Sequence, residues 1–183
     1  MELLQRTEDR GYPTDYLLSR VRSRKIRYRD SIAGESPEGL WKRLLIEYKW
    51  VYLQMNNRMR DTFNPFFLYN ELRTLIFCLR FKYSDEKDKA EEVLRFSLLS
   101  KGLKGSIKGD SRIISAFEDI ERAFLPLSQG FSGISEIYIK DGFRGVEQKL
   151  TDVYLGYVIN TGLHPVMRVY FIHLIDIRNI ISL

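Results

Sequence analysis

Apolar residues recur at helical spacing along almost the whole chain, and the closing stretch shows it most strongly. From Pro165 onward, Val166, Val169, Tyr170, His173, Leu174, Ile177, Ile180 and Ile181 follow the rhythm of one α-helix face. Pro165 stands at a first-turn position, where its missing N–H is no loss. Met167, Phe171, Ile172 and Ile175 fill most of the remaining wheel and leave Arg168 and Asn179 as a narrow polar strip. An apolar surround of this kind predicts a buried helix, with His173 as a hydrogen-bonded core histidine. Asp176 and Arg178 lie inside it. Two residues apart, they diverge and cannot pair with each other, so each requires a partner from elsewhere.

The same pattern occurs once before. Residues 65–82 likewise open with a proline and a run of aromatics. Glu71-Leu-Arg73-Thr-Leu-Ile76 matches Asp176-Ile-Arg178-Asn-Ile-Ile181 position for position, 105 residues apart. This reads as an internal repeat. If the two copies pack about a pseudo-twofold axis, the economical pairing is reciprocal, Glu71 with Arg178 and Arg73 with Asp176. The rival is pairing within each half, with Arg43 or Lys49 near Glu71.

The other elements follow in order. Residues 1–12 are polar and read as frayed or loosely docked. Pro13-Thr14-Asp15 starts a helix over 16–29 that carries six basic residues between Arg20 and Arg29. Arg20, Arg24 and Arg27 share one face, and with Arg22 they form the candidate partner contact. Ser36 caps a long helix whose stripe is Trp41, Leu44, Leu45, Tyr48, Val51, Tyr52, Met55 and Met59. Asp61 to Pro65 ends it and opens the first repeat helix, 65–83. A helix over 86–100 follows. Residues 101–109 hold three glycines and three lysines and read as a flexible hinge between the repeats. Helices over 110–125 and 143–160 precede the last one. Between them, Ile134 to Ile139 reads as either a short helix or a strand. The expectation is an all-α helical bundle of two related repeats: 1–100, the hinge 101–109, and 110–183.

Composition narrows the class. The chain has 183 residues, with 44% hydrophobic and 29% charged, which is globular rather than disordered. The net charge of +5 favours an acidic partner or a membrane surface. No stretch of 18 uncharged apolar residues is present, so no membrane-spanning segment is expected. The charged N-terminus lacks the apolar core of a secretory signal, and a cytosolic setting is the default expectation.

No catalytic signature accompanies this pattern. The single cysteine, Cys78, sits in an apolar helix and reads as a buried inert thiol. His164 and His173 are nine residues apart and do not make a ligand pair. The glycines at 101–109 do not have phosphate-loop spacing. The residues point to no cofactor, no metal and no small-molecule substrate. Glu71, Arg73, Asp176 and Arg178 read as structural ion pairs.

Several of these stretches together resemble one family. Asp15-Tyr-Leu-Leu-Ser-Arg-Val-Arg22 resembles the N-terminal Tyr-x-x-Ala-Arg-x-Arg pattern of the C subunit of V/A-type rotary ATPases, called d in eukaryotes. Tyr69-Asn-Glu-Leu-Arg-Thr-Leu75 resembles an internal helix of that family. Glu147 to Leu150, Gly162-Leu-His-Pro-Val166 and Ile175-Asp-Ile-Arg-Asn-Ile180 resemble its closing helices. The resemblance implies repeated helical bundles arranged as a funnel that sits on the membrane rotor ring and receives the central stalk. It implies a non-catalytic subunit serving proton or sodium transport, without cofactor or metal, held at the membrane from the cytoplasmic side. The chain departs from the family in being much shorter, with two repeats in place of three. It also reads Leu174-Ile175-Asp176 where the family often has Lys-Glu before its acidic position. The alternative from composition is a basic helical adaptor for nucleic acid or another acidic partner.

Overall fold

A computed structural model describes residues 3–5, 12–28, 36–84, 87–109 and 112–181 of the chain. Among these the protein is all-helical: α1 (Thr14–Tyr28), α2 (Pro37–Gln54), α3 (Asn57–Lys82), α4 (Lys87–Phe96), α5 (Lys101–Lys108), α6 (Ile113–Phe124), α7 (Ile134–Ile159) and α8 (Pro165–Ile181). The central element is α3. It buries Phe67, Leu68 and Leu72 as well as Leu75, Ile76 and Leu79, and it packs against α4, α5, α7 and α8. The buried set of α3 also includes the polar Asn70, Glu71 and Thr74, while Arg73 and Arg80 stay exposed.

Local chemistry sets the ends. The Ser36 hydroxyl accepts from the Gly39 N–H at the start of α2, and the Asn56 side chain accepts from the Met59 N–H at the start of α3. Thus α3 begins eight residues earlier than the sequence suggests. Pro65 lies within it rather than opening it. Proline removes one ladder hydrogen bond but does not end a helix that is packed around it. The region 134–139 resolves as helix: it is the first part of α7. That helix turns at Gly142, whose φ of 65° and ψ of −159° are open only to glycine.

The expected hinge at 101–109 is instead helix α5. Ser100 caps it by accepting from the Leu103 N–H, and Leu103 and Ile107 are buried. Four residues apart, they share one face, so the segment amid the glycines is still amphipathic. One core cluster runs from Leu3 through Leu75, Leu103, Phe117 and Tyr154 to Phe171, and therefore spans both proposed halves. The N-terminus joins it. Leu4 bridges Leu99, the Gln5 N–H donates to the Leu98 carbonyl, and the Ser100 N–H donates to the Leu3 carbonyl. Residues 6–11, expected to be frayed, lie outside the described residues.

The last helix departs most from expectation. Its inner row, Met167, Phe171, Leu174 and Arg178, packs on the bundle, with Met167 and Phe171 buried. Val166, Val169, Ile172, Ile177 and Ile180 are exposed instead, as is His173. The helical wheel carries apolar residues on two faces, and α3 and α7 cover one of them.

Candidate functional site

Apart from the exposed outer face of α8, three features stand out: α1, the buried carboxylate of Glu71 and a cleft beside Pro65. Helix α1 buries Leu17 against Tyr52, Met55, Phe67 and Leu98. Tyr16, Leu18 and Val21 remain exposed beside Arg20 and Arg22. Of the arginines expected to form the partner contact, the three with described side chains do different things. Arg24 makes a two-pronged pair with Glu47, Nε to Oε2 at 2.7 Å, and lies over the Trp50 ring at 4.4 Å. A fork of this kind fixes the angle of α1 on α2. Arg20 donates to the Tyr16 hydroxyl at 2.8 Å and sits 5.7 Å from the Trp50 ring centre. Arg22 is exposed. The side chain of Arg27 lies outside the described residues. Arg24 is thus an anchor of the fold, and the outward face of α1 is Leu18, Val21 and Arg22.

Glu71 is 2% exposed. Its carboxylate accepts from the Ser97 hydroxyl and from the Leu98 N–H, both at 2.6 Å. Burial pushes its pKa up to about 7, against the lowering effect of these two hydrogen bonds and of Lys104 and Lys49. Lys104 donates to the Ser97 carbonyl at 2.6 Å, and burial, with Lys49 nearby, pushes its pKa down to about 8. The cluster ties α3 to the turn 97–100, which in turn holds Leu3 to Gln5.

This corrects the reciprocal scheme. Glu71 does not meet Arg178, and Arg73 does not meet Asp176. Arg178 pairs with Asp152 of α7 at 2.9 Å, while Arg73 is exposed and lies 5.8 Å from the Trp41 ring centre. Asp176 is exposed. The rival is met in part: Arg178 pairs within its own half, and Lys49 lies near enough to lower the Glu71 pKa. Lys49 nevertheless donates to the Arg95 carbonyl at 2.7 Å, and Glu71 takes its hydrogen bonds from Ser97 and Leu98. Positions matched in the repeat therefore have unlike surroundings. Ser97 and Lys104, which sequence reasoning missed, lie in stretches with no motif; a serine just after a helix was the available signal.

Cys78 is buried, its Sγ 3.8 Å from the Ala90 carbonyl, and burial raises its pKa strongly. The thiol is held neutral and out of reach. The cleft, about 810 Å³, lies between Leu4, Gln5, Asn57, Arg60, Asn64 and Tyr154. Its buried Arg60 donates to the Tyr52 carbonyl at 3.3 Å. Among the described residues no group of His, Cys, Asp or Glu could hold a metal ion, and no helix is long and apolar enough to cross a membrane. Compared with protein-family models, curated proteins and solved structures, the chain matches none.

Proposed function

We propose that this protein is a non-catalytic subunit of a V/A-type rotary ATPase, a shortened coupling subunit between the central stalk and the membrane rotor ring. It would serve proton or sodium transport from the cytoplasmic side, held at the membrane by the complex. The observation that carries this reading is α1. The stretch Asp15 to Arg22, which resembles the family's N-terminal pattern, buries Leu17 and turns Leu18, Val21 and Arg22 outward. An amphipathic helix with basic and apolar groups at its surface has the makings of a protein-docking face. The all-helical architecture supports the same reading.

The test is affinity capture of the tagged chain from its source cell. Stalk and ring subunits are expected to copurify. Leu18→Asp with Arg22→Glu should remove them while leaving thermal stability nearly unchanged, because both side chains are exposed. Salt-dependent recovery of nucleic acid without ATPase subunits would replace this reading with that of a nucleic-acid adaptor.

A further inference from the structure

We infer that the outer face of α8 is a self-association surface, on which a second copy of this chain packs its own α8 in antiparallel orientation. The proposal is independent of α1 and of the ATPase reading. It starts from spacing. Val169, His173, Asp176 and Ile180 stand at intervals of four, three and four residues, which is the heptad spacing of a coiled-coil seam. The inner row Met167, Phe171, Leu174 and Arg178 has the same spacing and is used within the bundle. The outer seam faces away from it. Val169 is 54% exposed and Ile180 71% exposed, and His173 and Asp176 are exposed as well. Ile172 and Ile177 flank the seam on its two sides, also exposed.

The order of residues in the seam identifies the occupant. Read forward it is apolar, base, acid, apolar. Turned end for end it becomes apolar, acid, base, apolar. Two antiparallel copies related by a twofold axis between the levels of Leu174 and Ile175 therefore place Val169 against Ile180 of the second copy. His173 then faces Asp176, and both contacts occur twice. Every seam position meets its complement. A partner of different sequence would not require this symmetry, whereas an isologous contact demands it. His173 and Asp176 make no hydrogen bond or ion pair among the described residues, so both are available. Their pairing also sets the register, since a shift by one heptad would place His173 against Val169 or Asp176 against Ile180.

The test uses the full chain in sedimentation equilibrium over micromolar to submillimolar protein. A reversible monomer–dimer equilibrium is expected. His173→Asp opposes like charges at both central contacts and should weaken the dimer at least about tenfold. Adding Asp176→His to it restores the complementary pairs with their polarity reversed and should recover most of the loss. All four side chains of the seam are exposed, so folding is preserved and circular dichroism of each variant should match the parent. Register is tested by disulfide trapping. Val169→Cys with Ile180→Cys should cross-link two chains, and Val169→Cys alone should not, because eleven residues of helix separate the two levels by about 16 Å. A monomer at every concentration, a dimer indifferent to the charge variants, or cross-linking through Val169→Cys alone would each overturn the proposal.

Discussion

Glu71 shows how far one side chain can depart from what its neighbours in sequence suggest. Its carboxylate has two short donors but little solvent, and burial wins: the group titrates near 7 rather than near the ordinary 4.5. With the folded-state value raised, the folded protein binds more protons than the unfolded chain between those two values. The stability difference that favours the protonated form is fully present below about pH 4.5 and is lost as pH rises through 7. Relative to Glu71→Gln, wild-type stability should therefore fall across this window, by at most about 1.4 kcal/mol per pH unit, and run parallel above it. Denaturant melts at a series of pH values measure this; parallel curves throughout would show that Glu71 stays ionised. Glu71→Leu should be worse than Gln at every pH, by about 2–5 kcal/mol, because the Leu98 N–H and Ser97 hydroxyl lose a buried acceptor. The apolar register around Glu71 revealed that it is buried. Its partners were not legible, because a hydrogen bond to a turn 26 residues away leaves no periodic trace.

At the scale of elements, periodicity located most of the helices and misplaced their limits where a local rule was overridden. Pro65 looked like a boundary, yet capping by Asn56 and packing on both sides carry α3 through it. The glycines of 101–109 looked like a hinge, yet Leu103 and Ile107 hold a helix. Apolar residues on two faces of α8 predicted burial of both, because hydrophobicity does not record which neighbour arrives. The glycines of α7 make the converse point, that one residue type has opposite meanings along one helix. Gly142 adopts a conformation closed to other residues, with open space where a methyl group would stand, so Gly142→Ala meets strain rather than collision. It should lower stability by about 1–3 kcal/mol. Gly156 lies in the regular part of the same helix, also with nothing near its Cβ position. Gly156→Ala should raise stability by about 0.5–1 kcal/mol. Thermal melts of the two variants should thus move in opposite directions; equal effects would mean that the turn at Gly142 is not fixed.

For the whole molecule, the question is whether the internal repeat corresponds to two folding units. The core argues that it does not. Leu3 at one end and Phe171 at the other belong to one cluster, and α3, from the first half, packs directly on α7 and α8 of the second. Tyr154 of α7 donates its hydroxyl to the Pro65 carbonyl at 2.9 Å, and Tyr69 packs edge-on against Phe171 at 6.1 Å between ring centres. Residues 101–108 are themselves part of that core through Leu103 and Ile107. Separating the halves would expose α3, the most enclosed helix, along much of its length. With one continuous core shared by both halves, the chain is expected to unfold in a single cooperative step. Fluorescence and circular dichroism melts should coincide. Residues 1–100 and 110–183, expressed separately, should each lack a cooperative transition, and limited proteolysis of the intact chain should spare 101–108. Two resolved transitions, or a stably folded 110–183, would restore the two-unit reading. Loss of Leu103 provides the sharper version of the same test. Leu103→Ala should cost about 2–5 kcal/mol, as a buried leucine does, whereas a leucine in a free linker would cost almost nothing.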